Sequence, residues 1–150
     1  MTDSMIATVK PHGMLTPRQV AEAWFADVEQ NRLSAAQALL DENVVWENIP
    51  STPGVSDLAP WLGTYKGIPA ALKSLQVWAA HSRLLSFKLL RLVVDGPEVV
   101  GIVHERGQCL ANNNVYDVYV AENLRIEAGK ITHYRVYWDI SPLIKAYRNI

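Results

Sequence analysis

The chain is poor in the residues that would assign it quickly. It has one cysteine, Cys109, among 150 residues. An intramolecular disulfide and a four-cysteine zinc site are therefore excluded. Charge of one sign is also missing. The 14 Lys and Arg against 15 Asp and Glu leave a net charge of −1, so no basic surplus exists to bind nucleic acid. Long apolar runs are absent; the longest stretches resemble Leu89-Leu90-Arg91-Leu92-Val93-Val94 and are too short to span a membrane. The first 15 residues carry Asp3 and Lys10 without an apolar core, which does not read as a secretory signal. A cytoplasmic location is the expectation. His12, His81, His104 and His133 lack metal-ligand spacing, and neither HExxH nor a carboxylate facial triad can be written. No GxGxxG, P-loop or GxSxG is present, so neither a metal nor a nucleotide cofactor is expected.

What is present is the composition of one folded domain: 49% hydrophobic and 19% charged residues. A domain of this length buries roughly 70% of its unfolded surface. Residues 1–15 lack periodicity and read as a loose tail, leaving 16–150 as a single domain. Thr16-Pro17-Arg18-Gln19 combines a Thr N-cap, Pro at N1 and Gln at N3. Val20, Ala23, Trp24 and Val28 follow at helical spacing, predicting a helix to about Asn31. Ser34-Ala35-Ala36-Gln37 repeats the capping pattern and predicts a short helix ending near Leu40. A strand is predicted over Asn43–Ile49, then a long turn-rich connection from Pro50 to Gly67, of a length that often covers sites. Ala71, Leu72, Leu75, Trp78 and Ala79 mark a third helix. Four β-rich segments follow, near 84–94, 98–110, 115–126 and 130–139, and Ser141-Pro142 opens a terminal helix. This order predicts an α+β fold with helices on one face of a curved antiparallel sheet.

Strand 115–126 places Glu122 on an otherwise apolar face with Tyr116, Val118, Val120, Leu124 and Ile126. A carboxylate there must be paired, protonated or facing a wet cavity. A three-residue hairpin at Glu127-Ala128-Gly129 puts Glu122 opposite Tyr134, with Val136 and Trp138 on the same face. A two-residue loop puts it opposite Arg135, in a cross-strand ion pair. The first keeps the apolar face together and is preferred. In strand 98–110, Val100, Ile102, His104, Arg106, Gln108 and Leu110 form a face that begins apolar and turns polar. It either lines a cavity at one end or leaves the core for solvent. Trp46 and Asn48 share one face of strand 43–49 and Glu47 occupies the other. Trp46 is either a pocket wall or plain core. Cys109 reads as buried packing, because its strand face offers no obvious base.

The element order, the strand ending Asn48-Ile49-Pro50 and the closing Gly129-Lys130-Ile131-Thr132-His133-Tyr134-Arg135-Val136-Tyr137-Trp138-Asp139 resemble the nuclear-transport-factor-2-like (NTF2-like) superfamily. Within it the chain is most similar to the SnoaL-like polyketide cyclase, ketosteroid isomerase and limonene-epoxide hydrolase group. The resemblance covers about residues 16–148. It implies a cone-shaped (cystatin-like) curved sheet wrapped around N-terminal helices, a deep apolar pocket and a homodimer. The fold hosts many activities, so the site must decide the reaction.

Two relatives can be compared residue by residue. Trp46-Glu47-Asn48 is similar to the Tyr-x-Asn segment of the epoxide hydrolases, with Asn48 kept and Trp46 replacing Tyr. Glu105-Arg106-Gly107-Gln108 is similar to their Glu-Arg-x-Asp segment, with Arg106 kept and Gln108 replacing Asp; Val136 stands where their second Asp would. Epoxide opening by that mechanism is disfavoured, because Gln and Val transfer no proton. Val120 to Ile126 resembles the strand that carries the oxyanion Asp of the ketosteroid isomerases, which puts Glu122 in that position. Trp138 matches a pocket aromatic, Glu47 or Asn48 falls near the base, and Trp24 falls near the Tyr.

The resemblance thus implies cofactor-free acid–base chemistry on a small apolar carbonyl compound. Glu122 would donate to an oxyanion, Arg106 would bind an anionic oxygen, and Asn48 would orient substrate or water. Glu47 or Asp139 would be the base. Trp24, Trp46, His104, Gln108, Tyr134, Val136 and Trp138 would contact the substrate. The alternative is a non-catalytic binding or dimerisation module in which Glu122 and Arg106 form a buried ion pair.

Overall fold

The computed structural model describes residues 14–150; the reading of 1–13 as a tail lies outside them. Thr16 starts helix α1 (Pro17–Glu29) as its sequence predicts. Its hydroxyl accepts from the Gln19 N–H, and the Gln19 side chain accepts from the Thr16 N–H. These two bonds satisfy donors that a helix start otherwise leaves open. The helix buries Val20, Ala21, Trp24 and Phe25. The second predicted cap does not form. Helix α2 (Leu33–Ala38) begins ahead of Ser34, with Arg32 at its N-cap. Arg32 is held there by Asp27, at 2.8 Å.

Strand β1 (Leu40–Glu47) leads into the turn-rich connection, which adds a short strand, β2 (Thr64–Lys66), that its prolines and glycines conceal in the sequence. That connection seats Ala59, Trp61 and Leu62 in the core. Helix α3 (Ile68–His81) is followed by four long strands: β3 (Ser82–Asp95), β4 (Glu98–Cys109), β5 (Val115–Glu127) and β6 (Lys130–Trp138). Helix α4 (Ser141–Arg148) closes the chain. The strands form one sheet in the order β2-β1-β6-β5-β4-β3. All pairings are antiparallel except β1 with β6, whose parallel contact is reached through the long chain between them. Breaks in register within β3 and between β5 and β6 bend the sheet around α1.

The β5–β6 hairpin follows neither register considered from the sequence. Its loop is the two residues Ala128-Gly129, both at positive φ, and Glu127 pairs with Lys130. A one-residue bulge then intervenes before Arg125 pairs with His133. The bulge restores the parity that a three-residue loop would have set, but two residues further along. Glu122 therefore lies opposite Val136, with Leu124 opposite Tyr134 and Val120 opposite Trp138.

Two glycines of β4 fix how closely the interior packs. A Cβ on Gly101 would lie 2.2 Å from the Phe25 ring, and one on Gly107 would lie 2.2 Å from the Tyr116 hydroxyl. Both rings are fully buried and have nowhere to retreat. Gly101→Ala and Gly107→Ala are each expected to destabilise the fold by about 1–3 kcal/mol, the usual cost of overpacking. Urea unfolding checks this; an unchanged midpoint in either variant contradicts the packing described.

Candidate functional site

Among the described residues, the concave faces of β4, β5 and β6 carry two carboxyls, both glutamates. Along β5 the residues Tyr116, Val118, Val120, Glu122, Leu124 and Ile126 are all buried, and Glu122 is only 5% exposed. Its carboxyl meets the indole of Trp24, whose Nε1 donates to Oε1 at 3.5 Å, and the Tyr134 hydroxyl acts on it from β6. Trp46 stacks on Tyr134 at 3.8 Å between ring centroids, and Trp24 meets both rings edge-on. Trp24 of α1 thus meets the carboxyl directly, and Trp46 of β1 and Tyr134 of β6 complete the aromatic cluster around Trp24. Burial pushes that carboxyl up to about 8; the charge of Glu105 adds to the shift, and the hydrogen bond from Trp24 and the Tyr134 hydroxyl oppose it. Tyr134 is pushed up by its own burial and by the two glutamates.

The second glutamate is Glu105, which the sequence reading did not select. It sits on the β4 face with Val99, Val103 and Cys109, and that face is the inner one. The Tyr116 hydroxyl donates to Glu105 Oε2 at 3.5 Å. Burial raises the Glu105 carboxyl to about 7, opposed by the Tyr116 bond. A signal was available in the sequence. Val99, Gly101, Val103, Gly107 and Cys109 alternate small with apolar residues, the pattern of a strand face approached closely by other groups.

The expectation that His104, Arg106 and Gln108 line the cavity is corrected, because all three project from the opposite, outer face of β4. His104 Nε2 lies 2.6 Å from Asp117, and its ring stacks on Tyr119. Arg106 lies 3.5 Å from the same carboxylate, and Gln108 bonds to Arg83 and to the Asn113 carbonyl. Arg106 consequently forms no ion pair with Glu122. The buried Glu122–Arg106 pair expected under the non-catalytic alternative is therefore absent. Glu47 also faces outward, with His133 at 2.6 Å and Arg135 at 3.4 Å. Asp139 is exposed and accepts from the Ser141 N–H at 2.9 Å, just ahead of α4. Bonds from Ser141 hold its carboxyl below the usual range.

Asn48 lies at the end of β1, where the chain turns away from β6. Its Oδ1 accepts from the Trp138 indole at 3.2 Å and from the Ile49 N–H at 2.9 Å. A cavity of about 390 Å³ opens at this divergence, lined among others by Asn48, Pro50, Arg135, Val136 and Trp138. Val136 joins the two regions, since it faces Glu122 across the β5–β6 ladder. Of the residues selected from sequence, the structure brings together Glu122, Trp24, Trp46 and Tyr134, with Val136 beside them. Glu47, Asn48 and Trp138 form a second group at the cleft. Among the described residues, no group of three His, Cys, Asp or Glu could hold a metal ion, and no helix is long and apolar enough to cross a membrane.

This architecture has known counterparts. The model of the SnoaL-like domain family matches residues 21–134, and the chain belongs to that family. Solved structures with the same fold include an NTF2-like protein of Burkholderia thailandensis (22% identity, 89% of this chain and 98% of that one, TM-score 0.78). TerC, co-crystallised with polyporic acid, matches at 15% identity over 88% and 98% of the two chains (TM-score 0.74). A Catenulispora acidiphila protein with a ketosteroid isomerase-like fold, in complex with trimethylamine, matches at 16% identity over 89% and 95% (TM-score 0.68). No curated protein matches.

The raised Glu122 carboxyl has a consequence for stability. Its folded value of about 8 exceeds the ordinary glutamate value of 4.5, so the folded state holds a proton that the unfolded state releases. Stability is full below about 4.5 and falls as pH rises towards 8. Glu122→Gln, neutral at every pH, is expected to flatten this decline and to melt higher than the wild type at pH 8. The gain in stability there is expected to be on the order of a few kcal/mol. Melting curves from pH 5 to 9 check this. A variant that melts far lower at every pH contradicts a neutral buried carboxyl.

Proposed function

We propose that this SnoaL-like chain is a small-molecule enzyme that carries out cofactor-free acid–base chemistry on an apolar substrate. The reaction class is isomerisation, cyclisation or hydration. The observation that carries the reading is Glu122: a carboxyl on an apolar concave face, bonded by an indole, influenced by a phenol and, among the described residues, within ion-pair distance of no cation. A neutral acid in such surroundings donates a strong hydrogen bond to a developing oxyanion, and the dry setting makes that bond worth more than it would be in water. Trp24, Trp46 and Tyr134 would flank the substrate, and Val136 would form the wall towards the Asn48–Trp138 cleft. Asn48 would orient substrate or water at the entrance. TerC with polyporic acid and the Catenulispora protein with trimethylamine support a small-ligand role for the fold.

The test is a binding screen of the wild type and Glu122→Gln, read by tryptophan fluorescence, because Trp24 and Trp46 adjoin the carboxyl. Steroid enones, terpenoid epoxides and aromatic phenols make up the panel. A phenol or enone is expected to quench saturably at pH 7 and to bind about tenfold more weakly to Glu122→Gln, which corresponds to about 1.4 kcal/mol. Binding of no compound, or binding indifferent to the substitution, contradicts the reading.

A further inference from the structure

Glu122 alone supplies an acid. Isomerisation also needs a group that accepts a proton from carbon, and both residues considered for that role from the sequence lie elsewhere. Glu47 lines the Asn48 cleft, where His133 and Arg135 hold it, and Asp139 accepts from the Ser141 N–H just ahead of α4, so neither adjoins Glu122. We propose that Glu105 is the proton-accepting catalytic residue that works with Glu122, an assignment that rests on the function proposed above.

The placement is specific. Glu105 and Glu122 project from neighbouring, hydrogen-bonded strands onto the same concave face. Among the described residues, neither lies within ion-pair distance of a Lys, Arg or His. The inward positions of β4, β5 and β6 carry no cationic side chain. A glutamate kept only for packing would sacrifice solvation for nothing that Leu or Val could not supply. Among the described residues, Glu105 accepts one side-chain hydrogen bond, from Tyr116 to its Oε2, and the bare Gly107 is what admits the Tyr116 ring at that position.

The groups that face Glu105 set its charge. Phe87 of β3, its cross-strand partner, carries none. Tyr116 and Glu122 face it from β5 and Tyr134 from β6, while Tyr147 of α4 acts on Tyr116. All three phenols are raised and stay protonated. On α1, Trp24 is neutral and Asp27 is taken up by Arg32. With Glu105 near 7 and Glu122 near 8, the pair titrates in two steps, and between them one carboxyl is ionised and the other is an acid.

The step balances. Glu105 carboxylate takes a proton from the carbon next to a substrate carbonyl. The C–H electron pair forms a C=C bond, the carbonyl π pair moves onto oxygen, and Glu122 hydrogen-bonds that oxygen. The proton on Glu105 exchanges with solvent, and collapse of the enolate takes a proton, or in D2O a deuteron, back from Glu105, at the same carbon or, in an enone, at a different one.

The experiment follows exchange of the α-protons of 2-tetralone for deuterium by NMR in D2O, with protein added, from pH 5 to 9. The wild type is expected to speed exchange with a rate that rises through about 7 and falls above about 8. Glu105→Gln is expected to slow it at least about 100-fold and to erase the rising limb. Glu105→Asp is expected to recover part of the rate. Tyr116→Phe is expected to move the rising limb to higher pH, because the lost hydrogen bond was lowering the Glu105 carboxyl. A Glu105→Gln rate within twofold of the wild type, with the same profile, overturns this assignment and leaves the role of Glu122 standing. Wild-type protein that binds 2-tetralone yet exchanges nothing overturns the proposed function, and this assignment with it.

Discussion

The cost of keeping a carboxyl dry governs the rest of this structure. Glu122 sits where the sheet is most apolar, and no Lys, Arg or His on that face neutralises it. An ionised carboxylate there would cost several kcal/mol, so the group stays protonated and draws its partners from neutral donors. The Trp24 indole is such a donor, and the Tyr134 hydroxyl acts on the same carboxyl. Helix α1 is fixed against the sheet partly because Trp24 must reach that oxygen. Trp46 is fixed because it stacks on Tyr134.

The same constraint separates the two faces of the sheet. Charge gathers on the outer face in ordinary, solvent-exposed pairs: His104 and Arg106 with Asp117, Arg125 with Glu98 and Glu127, and His133 and Arg135 with Glu47. Such pairs contribute little stability each, and their removal leaves the interior unchanged. The inner face keeps two carboxyls and two tyrosines, Tyr116 and Tyr134, whose ionisation is suppressed. A protein that needed only a core would fill those places with aliphatic side chains.

Much of the fold was legible in the sequence because its signals are local. The Thr16 capping box, the apolar stripe of α3 and the alternation in β5 each name their element, and the face that bears Glu122 follows from parity alone. What stayed hidden depends on long-range geometry. The parallel contact of β1 with β6 carries no sequence mark, and neither does the bulge that sets Glu122 opposite Val136. The β4 faces were read the wrong way round. Its polar residues, His104, Arg106 and Gln108, suggested a cavity lining, whereas the two glycines on the other face mark where Phe25 and Tyr116 press against the sheet. Glu105 was lost by that inversion. Alternation identifies two faces, but only the partner rings show which one is inside.

The most direct test of a paired, cation-free carboxyl site is a carbon-13 NMR titration of the protein labelled at the glutamate side-chain carboxyl carbon. Two resonances are expected to titrate in steps near 7 and 8, with Glu122→Gln and Glu105→Gln each removing one step. The loss of Glu105 should also lower the remaining one, because its charge raises Glu122. If every glutamate titrates below about 5, both carboxyls are solvated or ion-paired, and the site described here does not exist.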